Sequence, residues 1–161
     1  MEEARRLWEL NFFTALGMAQ LTVPHMRAQR SGMVVNVSSI AGKFTLPWLP
    51  LYSASKHALS SWTEALRMEL RGSGVHAMTA CPGYIDTAFH QHALGGAPPD
   101  KIAGGKRFAI SASDCAGAIR RGVERDARTV MAPRSGWILV ALKSLFPGQV
   151  ETNLAKVNGT A

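Results

Sequence analysis

Two short runs of apolar and β-branched residues, MVVNVSS at 33–39 and VHAMTACPG at 75–83, are separated by a long stretch with helical periodicity. A connection of that length is a crossover, not a hairpin, so the two strands are predicted to lie parallel in one sheet covered by helices. The run MVVNVSS suits a strand buried on both faces. A third strand is predicted at RTVMAP, 128–133.

The helices between these strands carry their own punctuation. Residues 3–30 place apolar side chains at Leu10, Phe13, Leu16 and Met18, and the segment closes on Arg-Ser-Gly. Leu59, Trp62, Leu66 and Leu70 form one stripe of a second helix over 52–71, ended by RGSG. The tetrapeptide SASD at 111–114 has the spacing of a capping box and opens a helix to about Arg125. A last amphipathic helix is predicted at 135–145, whose Trp137, Leu139 and Leu145 read as core, and the Gly/Pro-rich stretch 92–106 as a loop. With no internal repeat, the chain reads as one α/β domain over 1–161, a doubly wound parallel sheet.

Composition narrows the function. The 161 residues are 47% apolar, enough for a core of their own. The net charge of +7 raises nucleic acid or an anionic membrane surface as partners, but the cations are scattered, and Arg120, Arg121, Arg125 and Arg128 read as the solvated face of a helix. No nucleic-acid motif accompanies them. Cys81 and Cys115 lack CxxC spacing and read as reduced core residues of a cytoplasmic protein. His25, His57, His76, His90 and His92 show no metal-ligand spacing, so no metal is expected. The N-terminus has no secretory pattern, and GWILVALKSLF is too short to span a bilayer. That stretch could cover a pocket or lie on a membrane surface.

In parallel α/β sheets, chemistry gathers beyond the carboxyl ends of the strands. Ser38 and Ser39 end the first strand, and Pro82 and Gly83 end the second. Tyr52 and Lys56 stand four residues apart at the start of the helix between them, so they share one face. A phenol titrates near pH 10 and is a poor proton carrier at neutrality. An adjacent ammonium favours the phenolate and makes Tyr52 a usable general acid and base, while a hydroxyl such as that of Ser39 can hold a carbonyl oxygen as charge develops on it.

Together these motifs resemble the short-chain dehydrogenase/reductase family. NVSSIAG is followed by YSASK, with Ser39 thirteen residues before Tyr52 and Lys56 four after it. CPGYIDT stands where that family places a Pro-Gly segment, and Asn11, in ELNFFTALGMAQ, lies 28 residues before Ser39. The resemblance runs from about residue 7 to residue 133. It implies a Rossmann-like sheet and an NAD- or NADP-dependent oxidoreductase that interconverts an alcohol and a carbonyl. Tyr52 would exchange the proton, Lys56 would bind the nicotinamide ribose and depress the tyrosine pKa, and Ser39 would orient the substrate oxygen. Asn11 would anchor a water linking the lysine to solvent. Pro82, Gly83, Ile85 and Thr87 would line the nicotinamide side. A homo-oligomer built from the two long helices is implied as well, with a substrate loop at 88–107, a C-terminal helix and tail at 135–161, and a small hydrophobic substrate.

The sequence also departs from that family. None of its 15 glycines has GxxxGxG or GxGxxG spacing, and an Asn-Asn-Ala-Gly segment is absent. The resemblance is therefore to the carboxyl-terminal two-thirds of the family's domain, three strands of seven, without the βαβ half that binds the pyrophosphate. The strand ending at Ser39 is expected to keep an open edge. A truncated oxidoreductase and an inactive remnant acting only by association both remain open, and NAD cannot be told from NADP. Each site residue also has a plain alternative: Tyr52 a half-buried aromatic, Lys56 a solvated cation, Ser39 and Thr87 caps, Asn11 an exposed polar residue, and Pro82 and Gly83 turn punctuation.

Overall fold

The structure, a computed structural model, describes residues 1–87 and 109–159. The expected loops at 88–107 and 92–106, with His90 and His92, lie outside the described residues. Within them β1 (Gly32–Val37), β2 (Val75–Pro82) and β3 (Thr129–Ala132) form one parallel sheet in the order β1-β2-β3. Gly32 stands opposite Val75, and Thr79 opposite Thr129.

β2 is the central strand, and its alternation sorts the two helix layers. Ala77 packs with Ala19, Leu66 and Leu70 on one face. Its neighbour Met78 points to the other face, where Gly122 packs so closely that an added Cβ would run into Val130 and Met78. The sheet is therefore covered on both sides, as expected of a doubly wound fold. β1 departs from the sequence reading. Val37 is 52% exposed, and only Asn36 of the strand is buried. The strand is not buried on both faces because it is the margin of the described sheet, with β2 on one side only.

The first helical segment is broken by its own geometry. α1 (Glu2–Trp8) passes through a π turn (Glu9–Phe13) into α2 (Thr14–Ala28). The backbone N–H and the hydroxyl of Thr14 both donate to the Glu9 carbonyl, the hydroxyl at 2.8 Å. One added residue per turn rotates the faces that follow out of a 3.6-residue phase. Leu10, Phe13 and Met18 are consequently exposed, while Leu7 and Ala19 carry the buried contacts.

α3 (Pro50–Glu69) starts two residues before the predicted Tyr52, with Pro50 at its first turn, where no backbone N–H is needed. Leu59, Leu66 and Leu70 are buried as expected, with Trp62 half-buried and edge-on to Phe12. Gly74 closes the turn after α3 at φ +79, and a side chain there would strike the carbonyl of Arg30. α4 (Ala112–Glu124) opens as predicted: Ser111 accepts from the Asp114 N–H at 3.0 Å and donates to its carboxylate at 2.7 Å. Past α4, Asp126 receives two guanidinium N–H groups of Arg67 at 3.1 Å and pairs with His76 at 2.7 Å. This ties the end of α3 to the starts of β2 and β3.

α5 (Gly136–Leu145) matches the last predicted helix, but its apolar residues are not core: Trp137, Leu139 and Leu145 are exposed. A further helix, α6 (Pro147–Asn158), follows where a tail was expected. Its signals were Pro147 at the first turn and Gly159 in the left-handed region at the end.

Candidate active site

Three elements meet at the carboxyl end of the sheet. The chain leaves β1 through Ser38 and Ser39, and Ser39 caps a 3-10 turn (Ile40–Gly42) by accepting the Ala41 N–H at 3.1 Å. Its hydroxyl lies 3.4 Å from the Pro82 carbonyl at the end of β2. That is a long bond, and the single serine proton is available to a better acceptor. Gly83 continues the seam by donating to the Ala132 carbonyl of β3 at 2.7 Å.

Tyr52 and Lys56 come from the first two turns of α3, so the helix start delivers both to this edge. Burial pushes the Tyr52 hydroxyl above the ordinary phenol value, and a hydrogen bond with Ser39 pulls it part of the way back. Burial also lowers the Lys56 ammonium below the ordinary lysine value. Lys56 Nζ donates to the Val37 carbonyl at 3.0 Å and stands 5.7 Å from the centre of the Tyr52 ring. One N–H of the ammonium is thus held by a backbone oxygen, and the hydrogen bond that lowers the phenol comes from Ser39.

Asn11 lies in the π turn, and its Nδ2 donates to Ser55 Oγ at 3.1 Å. Ser55 in turn donates to the Tyr52 carbonyl at 2.8 Å. With its one proton spent there, Ser55 can only accept from Asn11, which fixes the orientation of that amide. The structure therefore brings Asn11, Ser39, Tyr52, Lys56 and Pro82 into one connected set, with Gly83 beside them. Ile85 pairs instead with Ile110 as the chain leaves β2, and Thr87 is exposed at the end of this stretch. Ser55, Ser60 and Gly42 were not singled out in the sequence, although small hydroxyls at 53, 60 and 63 fall at helical spacing on the buried side of α3.

Other chemistries find less support. The Cys81 thiol is pushed up to about 11 by burial, with Lys43 opposing the shift, so it is no thiolate nucleophile at neutral pH. Among the described residues no His, Cys, Asp and Glu cluster could hold a metal, and no helix is long and apolar enough to cross a membrane.

Comparison with known proteins bears on the family and the fold. The pattern of the short chain dehydrogenase family matches residues 1–95. The chain is 32% identical over 162 aligned positions to a dehydrogenase/reductase SDR family protein 7-like of Anopheles gambiae, covering 96% of this chain and 51% of that protein. It is 31% identical to the uncharacterized oxidoreductase YbbO of Escherichia coli, covering 87% of this chain and 54% of the relative. A short chain dehydrogenase from Burkholderia cenocepacia, solved in complex with NADP, superimposes with a TM-score of 0.77 at 26% identity, covering 94% of this chain and 58% of the other. The chain thus spans about half the length of the curated relatives it matches. On its sequence pattern, its fold and these relatives, the chain belongs to the short-chain dehydrogenase family.

Proposed function

We propose that the protein carrying this chain is an NAD- or NADP-dependent oxidoreductase that interconverts an alcohol and a carbonyl, with Tyr52 as the proton-transfer group. The observation that carries the reading is the junction at the sheet's edge, where Ser39 and Tyr52 are hydrogen-bonded and Lys56 lies beside the phenol. The donors present fit the nicotinamide end of a dinucleotide. Lys56 uses one of its three N–H groups on Val37, which leaves donors for ribose hydroxyls. Pro82, Gly83, Ile85 and Thr87 would line the same side. The glycine spacing that would hold a pyrophosphate does not occur in this sequence. When bound, the cofactor supplies or accepts the hydride.

The chain's own residues handle the proton. Tyr52 gives it to the carbonyl oxygen in reduction and takes it from the alcohol in oxidation. A phenol whose pKa is raised keeps its proton at neutral pH, so it is ready as an acid, and the Ser39 bond makes its loss less costly. Ser39 can also orient the substrate oxygen, and Asn11 would hold a water that links Lys56 to solvent.

A hydrophobic substrate suits the neighbourhood. α5 packs Gly136 against Met131 and Ile40, just beyond Ser39, so the helix starts beside the site and its apolar residues would flank a bound substrate. The free, buried thiols of Cys81 and Cys115 fit a reducing compartment such as the cytoplasm. A second reading, association without catalysis, is favoured by the exposed Leu10, Phe13, Met18 and Leu21 and by the open side of β1. Association by itself does not separate the two readings, since an active homo-oligomer would cover the same side chains; activity does.

Tyr52→Phe tests the proposal in the full-length protein, by NADH and NADPH oxidation with a panel of hydrophobic ketones and aldehydes. The ring and its packing remain, so turnover falls by about 10²- to 10⁴-fold while folding is kept. Turnover close to that of the parent would remove Tyr52 from the proton-transfer role.

A further inference from the structure

We infer that Ser38 is a positioning residue of this site: its hydroxyl pins the end of β1 to the turn of α3 that carries Lys56, and so sets where Ser39 stands relative to Tyr52. The inference rests on the proton-transfer reading above and concerns a residue outside the reacting set.

Ser38 is buried and still belongs to the ladder, with its N–H on the Ala80 carbonyl at 2.7 Å. Its hydroxyl lies 2.9 Å from the Lys56 carbonyl and 2.8 Å from Ser60 Oγ. Only the serine can donate to the carbonyl, so Ser60 must donate to Ser38. Ser39 is the next residue, one virtual bond of about 3.8 Å away, and moves with whatever holds Ser38. Gly42 closes the knot from the far side. A Cβ there would collide with Ser38 Oγ, the Lys56 carbonyl and Ser60 Oγ together. Its φ is not in the left-handed region, so what the position demands is space.

The same seam runs on along the helix, where Asn36 Nδ2 donates to Thr63 Oγ1 at 2.9 Å. α3 buries Ser60 and Thr63 on this side in place of larger apolar groups. Apolar packing tolerates small slides between a helix and a strand, whereas hydrogen bonds hold direction and distance. A seam of hydroxyls therefore fixes the register of α3 on β1 at the level of the site.

The test is a titration of Tyr52 in a Tyr84→Phe background, which leaves it the sole tyrosine of these 161 residues, read as the difference from the same protein carrying Tyr52→Phe. Tyrosinate absorbance is read just after a stopped-flow pH jump, before unfolding. Ser39→Ala raises the midpoint, because the bond that lowers it is gone. Ser38→Ala raises it by a smaller amount, and Gly42→Ala does the same by forcing the knot apart without deleting a polar group. On the Ser39→Ala background, Ser38→Ala adds nothing. No shift from Ser38→Ala or Gly42→Ala, or an equal Ser38→Ala shift with and without Ser39, overturns the inference while leaving the proton-transfer reading intact. An unmoved midpoint in Ser39→Ala overturns both.

Discussion

Leu70 ends α3 with 1% of its surface exposed, and Leu145 ends α5 with 70% exposed. The two helices flank the same site, yet they are built on opposite plans. α3 turns Leu59, Leu66 and its small hydroxyls inward and Glu64 and Glu69 outward. α5 places Ile138, Leu142 and Leu145, residues four and three apart on one face, toward solvent, while its only cation reaches the exposed Thr45. The contrast separates two tasks. α3 positions Tyr52 and Lys56 through fixed bonds, whereas the outer ridge of α5 does little for folding of the described residues.

The contrast can be broken by mutation. Leu70→Ala removes a fully enclosed side chain and should cost about 2–5 kcal/mol in denaturant unfolding. A loss below about 1 kcal/mol would mean that α3 is not the rigid wall described. Ser111→Ala should cost about 1 kcal/mol, since it deletes the cap of α4 on the opposite face of the sheet. Leu145→Ala should change stability by no more than about 0.5 kcal/mol. A larger loss would place that leucine in a packed interface and end the comparison.

A pH series sharpens the same contrast at the lower end of α3. The Arg67 guanidinium beside Asp126 holds its carboxyl below the ordinary value, with His76 adding to the effect. A depressed folded-state pKa means that the pair's stabilisation is present above the unfolded carboxylate value and is lost as pH falls through the folded one. The effect is small, because the aspartate side chain is 40% exposed and screened. Melting temperature should drop less steeply on acidification in Asp126→Asn than in the parent. Parallel profiles would show that the clip contributes nothing.

Much of this organisation was legible in residue types. β-branched runs gave the strands, Ser111 with Asp114 gave the cap, and Ser39, Tyr52 and Lys56 gave the candidate site, whose roles stay a proposal. The failures share a cause in tertiary geometry. Leu10, Phe13 and Met18 were placed by a uniform helical period, which the π turn at Glu9–Phe13 breaks. Val37 was read as buried because a β-branched run does not say whether its strand is central or marginal. The link from Ser38 to Ser60 and Gly42 was invisible because it joins positions on two elements whose register only the folded chain defines. The same holds for Lys56, whose partner is a backbone carbonyl and leaves no trace in side-chain spacing.

The most direct test of the account is therefore the Tyr52 titration in Lys56→Met, compared with Ser39→Ala, both without cofactor. If the phenol is governed by burial and by the serine at the end of β1, Ser39→Ala moves the midpoint upward and Lys56→Met moves it less. An upward shift in Lys56→Met equal to or larger than that in Ser39→Ala would contradict the account and return control of the phenol to the lysine.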